Sequence, residues 1–368
     1  MTRLSHVKAV SRLGTVITLS IADCLFSQSP QIQISKDRYQ QAWKAAKKLE
    51  HIFRKVHEIE LTAKEELVVA EISSCVVGES NQILCVDEKL QAVFLFDSKG
   101  SLQGKVNQEI MEQSKPGHKF NPFQALFDRE GNVYVQSLFD REGLLHKFDK
   151  NLNYIAEIRY HDFNSAFHFI FDGSNNLISY IVVTPFDIFL KKTVLSKKSG
   201  NKFGVFPEEF GNAINRNPIR GLAIDQNDRV YQVNAVEPKI YVYDSGGSLL
   251  KTYEDEPAGY HKISKDLPGE ITMSNLGALK NFMNWTMTIS IHYLTSGLLL
   301  VQYYDHPTQK FLFDLWDIEG KCYTNGVLSP DRILAAKDSS IFFEYQPPMN
   351  KSGDLPNPRI VQYDLINR

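Results

Sequence analysis

Between residues 73 and 343 the chain repeats one short unit six times: an apolar run, a tight turn, and a second apolar run. The fullest copies are Gln124-Ala-Leu-Phe-Asp-Arg-Glu-Gly-Asn-Val-Tyr-Val135, Phe169-Ile-Phe-Asp-Gly-Ser-Asn-Asn-Leu-Ile178 and Leu222-Ala-Ile-Asp-Gln-Asn-Asp-Arg-Val-Tyr231. Weaker copies turn at Ser80, Ser296 and Asp338. A second unit follows most of the first by about twenty residues, as in Phe94-Leu-Phe-Asp-Ser-Lys-Gly100 and Tyr241-Val-Tyr-Asp-Ser-Gly-Gly247, with further copies at Asp149, Asp317 and Asp364. Asp accepts backbone hydrogen bonds in a turn and Gly tolerates positive φ, so these acids are read as turn formers before anything catalytic.

Each pair of units encodes four short strands. The turn positions Ser80, Asp128, Asp172, Asp225, Ser296 and Asp338 are separated by 48, 44, 53, 71 and 42 residues, blade-like spacings apart from the one long interval. That interval holds an insertion at 254–282. Four-stranded sheets repeated radially leave only short edges, so the fold class expected is all-β, a six-bladed β-propeller. The last copy supplies three strands before the chain ends at Arg368. Residues 56–61 alternate like a strand, and they are expected to complete the sixth blade and close the ring.

Ahead of that strand, Tyr39, Trp43, Ala46, Leu49, Ile52 and Phe53 recur at three- and four-residue steps, which predicts a helix over 37–55. At the N-terminus, Arg3, Lys8 and Arg12 precede an apolar stretch at 13–22 that is too short to span a bilayer but suits a signal peptide. The expected organisation is therefore a signal peptide at 1–22, an extension with a helix at 23–55, and a propeller at 56–368. Cys24 raises lipid anchoring, which Asp23 disfavours because a lipobox wants a small residue before the cysteine. Export to the periplasm or medium is the expectation, with no transmembrane span.

With 41 Lys plus Arg against 43 Asp plus Glu, nothing draws the chain to nucleic acid. The 23 Phe and 16 Tyr agree with strands. Four cysteines lack any Cys-x-x-Cys spacing, so no zinc or redox motif is read. Cys75 and Cys85 fall on one hairpin, one pair out of line, and are read as small buried thiols. No nucleophile elbow, phosphate loop, dinucleotide fingerprint or calcium loop is present, and the sequence names no cofactor.

These repeats resemble the NHL-like and TolB-like group of exported bacterial six-bladed propellers, whose units read "apolar-Asp-x-x-Gly-x-Ile-Tyr-Val" and "Val-Phe-Asp-x-x-Gly". The matching stretches are Phe127-Asp-Arg-Glu-Gly-Asn-Val-Tyr-Val135 and Phe94-Leu-Phe-Asp-Ser-Lys-Gly100, and the likeness covers roughly 66–368. Such proteins often carry a Gly-Pro-Gly-Glu-Phe loop entering a blade. Lys115-Pro-Gly-His-Lys-Phe-Asn-Pro122 resembles it, with His118 in place of the acid. The resemblance implies architecture and leaves the activity open, because sites are grafted onto folds.

In a propeller the two Asp-turn units lie on one face, and function usually sits on the other. Second-strand ends would bring Asp87, Asn234, Tyr303 and Tyr345 to that loop face. Blade entries would add His118, His168, Arg220 and Arg332. These eight are the candidate ligand-binding residues, with the two arginines suited to a carboxylate. The partner classes they suit are a small polar ligand, a peptide or a partner protein. A binding module is the first reading. A metal-dependent lactonase or lyase at the channel mouth is the second, and an assembly scaffold using the helix and the 254–282 insertion is the third.

Overall fold

The computed structural model describes residues 46, 48–62, 69–137, 144–159, 166–184, 187–197, 199–206, 221–262, 284–349 and 356–366. Strand β1 (Phe53–Glu60) precedes blade one, formed by β2 (Ile72–Val77), β3 (Ile83–Asp87), β4 (Ala92–Phe96) and β5 (Leu102–Val106). Helix α1 (Gln108–Ser114) leads to blade two: β6 (Pro122–Phe127), β7 (Val133–Ser137), β8 (Leu144–Phe148) and β9 (Tyr154–Arg159). Blade three holds β10 (Ala166–Phe171), β11 (Leu177–Thr184), β12 (Asp187–Val194) and β13 (Ser199–Phe203). Blade four holds β14 (Leu222–Ile224), β15 (Val230–Val233), β16 (Lys239–Tyr243) and β17 (Leu249–Glu254). Blade five holds β18 (Thr286–Leu294), β19 (Leu298–Asp305), β20 (Lys310–Asp317) and β21 (Cys322–Ser329). Blade six joins β22 (Ile333–Lys337), β23 (Ser340–Tyr345) and β24 (Arg359–Leu365) to β1. The protein is a six-bladed β-propeller.

The repeated acids build the hairpins. Asp97, Asp128, Asp149, Asp172, Asp225, Asp244 and Asp317 each accept, on Oδ1, the amides two and four residues ahead. The chain turns back through a residue of positive φ, which is Gly at 100, 131, 247 and 320 but Leu152, Asn175 and Asp228 elsewhere. Ser80 is not the equivalent position in blade one. There the turn runs from Gly78 to Gln82, with Asn81 taking positive φ.

Burial falls outward along each blade. Strand β2 is buried at every residue, whereas β9 alternates and β17 is almost wholly exposed. Apolar clusters fill the spaces between blades around the ring: Val76, Phe148 and Phe171 through blades one to three, then Ile170, Tyr231 and Trp316 through blades three to five. Phe53, Phe313 and Phe343 join blades five and six, and Phe94, Leu334 and Ile360 join six to one.

Strand β1 pairs antiparallel with β24, from Phe53 opposite Leu365 to Glu60 opposite Arg359, so the N-terminal segment closes the ring as expected. The expected helix differs at its end: Leu49–His51 form one 3-10 turn and the strand begins at Phe53. Residues 37–45 and 47 lie outside the described residues. The apolar spacing at Leu49, Ile52 and Phe53 reflects burial in the cluster between blades five and six, which a short turn and a strand satisfy without an α-helix. The cysteine register is also corrected. Cys75 lies directly opposite Cys85, and their buried thiols approach to 3.7 Å.

Candidate functional site

Because hairpins alternate direction, the Asp turns joining first to second and third to fourth strands share one face. The second-to-third connections and the blade entries share the other, the loop face. Six of the eight sequence candidates are engaged there in holding the fold. Asp87 is fully buried, and its carboxylate accepts the amides of Ala70, Glu71 and Leu90. Asn234 donates to the Val205 carbonyl and to Glu237 Oε1, and accepts from Gln232. Tyr303 is buried facing Asp314. His168 is buried with its ring 6.4 Å from that of Tyr180. His118 approaches His146, Nε2 to Nε2 at 3.0 Å. Arg332 donates from Nη2 to the Ile72 carbonyl, joining blade six to blade one. Beside it, burial lifts the Glu344 carboxyl to about 7 against the pull of Arg332. Tyr345 stands 45% exposed at the end of β23. Arg220 lies outside the described residues, and the other candidates are spread around the ring rather than gathered at one point.

A tighter constellation stands at the entry of blade five. Asp305, the last residue of β19, is buried, and its Oδ1 lies 2.8 Å from both His261 Nδ1 and Thr286 Oγ1. Its Oδ2 accepts from the Thr308 amide at 3.2 Å and from the Thr308 hydroxyl. Thr286 opens β18 and also accepts the His261 amide at 2.9 Å, while its own amide donates to the His261 carbonyl. Burial alone would raise the Asp305 carboxyl, but the Thr308, Thr286 and His261 donors outweigh it and hold it below the ordinary carboxylate range. An ionised carboxylate only accepts, so Nδ1 carries the proton and Nε2 is the nitrogen that Asp305 does not engage. The imidazole is 47% exposed.

The alternate positions of β18 and β19 face away from this pair and build a buried apolar cluster between blades four and five. Trp285, Met287 and Ile289 pack with Ala235 and Val236 from blade four, and Tyr304 and Phe311 lean on the cluster. Thr288 ties the two blades together by donating to the Ala235 and Glu237 carbonyls. The His306 ring sits 4.8 Å from that of Tyr304, and burial depresses its pKa.

A carboxylate-oriented imidazole can hold a hydrogen-bonding ligand, move a proton, or ligate a metal through Nε2. Among the described residues no three His, Cys, Asp or Glu side chains group as a metal site requires. The sequence reading ends β19 at Tyr303, two residues early, and so misses the pair. The rule that second-strand ends reach the loop face would otherwise have reached Asp305.

No family model matches the sequence, and neither does any curated protein. Solved structures share the fold at low identity. A DUF4221 family member from Bacteroides vulgatus is 10% identical with a TM-score of 0.61, over 86% of this chain and 98% of that one. A Bacteroides fragilis protein described as exported is 10% identical with a TM-score of 0.57, over 87% and 97%. A gluconolactonase from Xanthomonas campestris is 9% identical with a TM-score of 0.51, over 93% and 99%. At these identities the likeness shows the propeller fold alone.

Proposed function

We propose that the protein is an exported binding propeller that takes a small polar ligand or peptide on the loop face of blade five, with His261 as its principal polar contact. One observation carries this reading: a half-exposed imidazole is fixed by a buried carboxylate where the chain crosses from blade four to blade five. Binding sites fix orientation with a small number of placed polar groups of this kind. Export is supported by the basic and apolar N-terminal pattern and by the fold shared with a protein described as exported. Among the described residues no helix is long and apolar enough to cross a membrane.

The test is a thermal-shift panel of sugars, lactones, short peptides and divalent ions on the mature protein and on His261→Gln. A binding compound stabilises the wild type by mass action, and His261→Gln weakens that compound about tenfold, or ~1.4 kcal/mol. Equal stabilisation of both proteins would place the ligand elsewhere.

The same pair favours a second reading, an enzyme of the lactonase or lyase kind in which His261 Nε2 takes a proton from water or from the substrate. Hydrolysis of a δ-lactone would then fall by roughly 10²–10⁴ in Asp305→Asn, since the carboxylate fixes the tautomer. A lactone that stabilises the protein without being turned over would leave the binding reading standing.

A further inference from the structure

His261 belongs to no strand. It ends a strap, residues 255–262, that leaves β17 and crosses to blade five. Asn325 of β21 clamps the middle of the strap: its Oδ1 accepts the Ala258 amide, and its Nδ2 donates to the Glu256 carbonyl at 3.0 Å. The next residue, Gly326, has φ +67, and a Cβ there would come within 2.9 Å of the Ala258 carbonyl oxygen. The strap therefore lies directly on that glycine.

Beneath Gly326 is Asp314 of β20, fully buried, whose Oδ1 accepts the Gly326 amide at 2.6 Å. Its Oδ2 has no hydrogen-bond partner among the described residues. Beyond the clamp, Tyr260 packs edge-on against Tyr303, and His261 then meets Thr286 and Asp305. A continuous chain of contacts thus runs from Asp314 to the imidazole.

We propose that Asp314, Gly326 and Asn325 form a latch that positions His261, and that ionisation of Asp314 releases it. The groups facing Asp314 are Tyr303 of β19, Cys322 of β21 and Asp255 of the strap itself. No cation is among them. A charge on Asp314 is met only by the Gly326 amide and the Tyr303 side chain, which burial outweighs, and it repels the strap through Asp255, whereas the neutral acid supports Gly326 without that cost. Burial, with Asp255 adding to it, lifts the Asp314 carboxyl to about 7.

The sign follows from linkage. An unlatched, hydrated Asp314 returns toward the ordinary value of about 4, so the closed state binds the extra proton. Opening then grows by up to about tenfold per pH unit between roughly 4 and 7 and levels off above. The latch rests on His261 being the ligand contact, but its test needs no ligand.

Amide hydrogen exchange of residues 255–262 in the whole protein, corrected for intrinsic rates, would be followed from pH 5 to 8. Wild-type protection falls by up to tenfold per unit to pH 7 and then levels. Asp314→Asn keeps an acceptor for Gly326 but cannot ionise, so its protection is level throughout. Gly326→Ala is poorly protected at every pH, because the added methyl displaces Ala258. Equal pH slopes in wild type and Asp314→Asn would overturn the latch, as would full protection in Gly326→Ala. Exchange as expected, with ligand stabilisation unchanged in His261→Gln, would keep the latch and remove the binding site.

Discussion

On the Asp-turn face seven acids repeat one geometry, each closing its hairpin with the same two amides, whereas on the loop face the second-to-third connections run from two residues in blade three to thirteen in blade six. The first face is uniform because a tight hairpin has few backbone solutions, and every acid there is committed to one of them. Connections that need only span a gap are free to vary, and in blade five that freedom leaves an imidazole half-exposed against a buried carboxylate. An acid in a repeat is thus weak evidence for function, and one at a second-strand end can be structural too, as Asp87 is; Asp305 differs in holding a half-exposed imidazole.

This contrast can be broken most severely at Asp172, where the carboxylate also receives Lys192 at 2.7 Å and Asn176 Nδ2 at 2.9 Å. Asp172→Ala is expected to cost about 3 kcal/mol in urea unfolding, because it strands the buried amides and the lysine. Burial opposes the charge on Asp172, but Lys192, Asn176 and the turn amides prevail and depress its pKa. Its contribution is therefore present above the unfolded value of about 3.9 and is lost as pH falls through the lower folded value. Wild type and variant should converge in stability in acid.

Two glycines sharpen the comparison at smaller cost. Gly320, on the Asp-turn face, has φ +94, and a Cβ would meet the Tyr253 ring at 2.4 Å. Gly117, at the entry to blade two, has φ +78 with open space around it. Gly320→Ala should lose about 2–3 kcal/mol and Gly117→Ala about 1, the first adding steric displacement to a shared backbone strain. Least affected is the exposed Lys251–Glu319 pair, where Lys251→Ala should change stability by under about 0.5 kcal/mol. A larger loss there would mean that the outer blade edges are more tightly coupled than their exposure suggests.

The same asymmetry decides what the sequence discloses. Asp-x-x-Gly turns are local, so the repeat exposes most of the hairpins and their order. Legibility fails in blade one, where Gly78 opens the turn in place of an Asp and the reading centres on Ser80, and in blade three, where β12 turns into β13 at Lys197 without any Asp unit. The site is harder still. His261 and Asp305 are 44 residues apart and meet only because the strap crosses from one blade to the next, a pairing that no local spacing encodes. Of the residues chosen from strand ends, Asp87 and Asn234 proved to be tied to backbone and neighbouring side chains, which burial reveals and sequence does not.

The pairing of β1 with β24 carries a further consequence, one of timing. The two strands lie about 300 residues apart, so blade six has no complete sheet until β24 has been made. At ~5–20 residues per second, β1 waits on the order of 15–60 s for its partner. Throughout that interval blade one presents an open flank, and an emerging chain is held short of its native state by its own topology. A ring closed by pairing β1 with β24 thus carries a built-in delay before it can reach its native state.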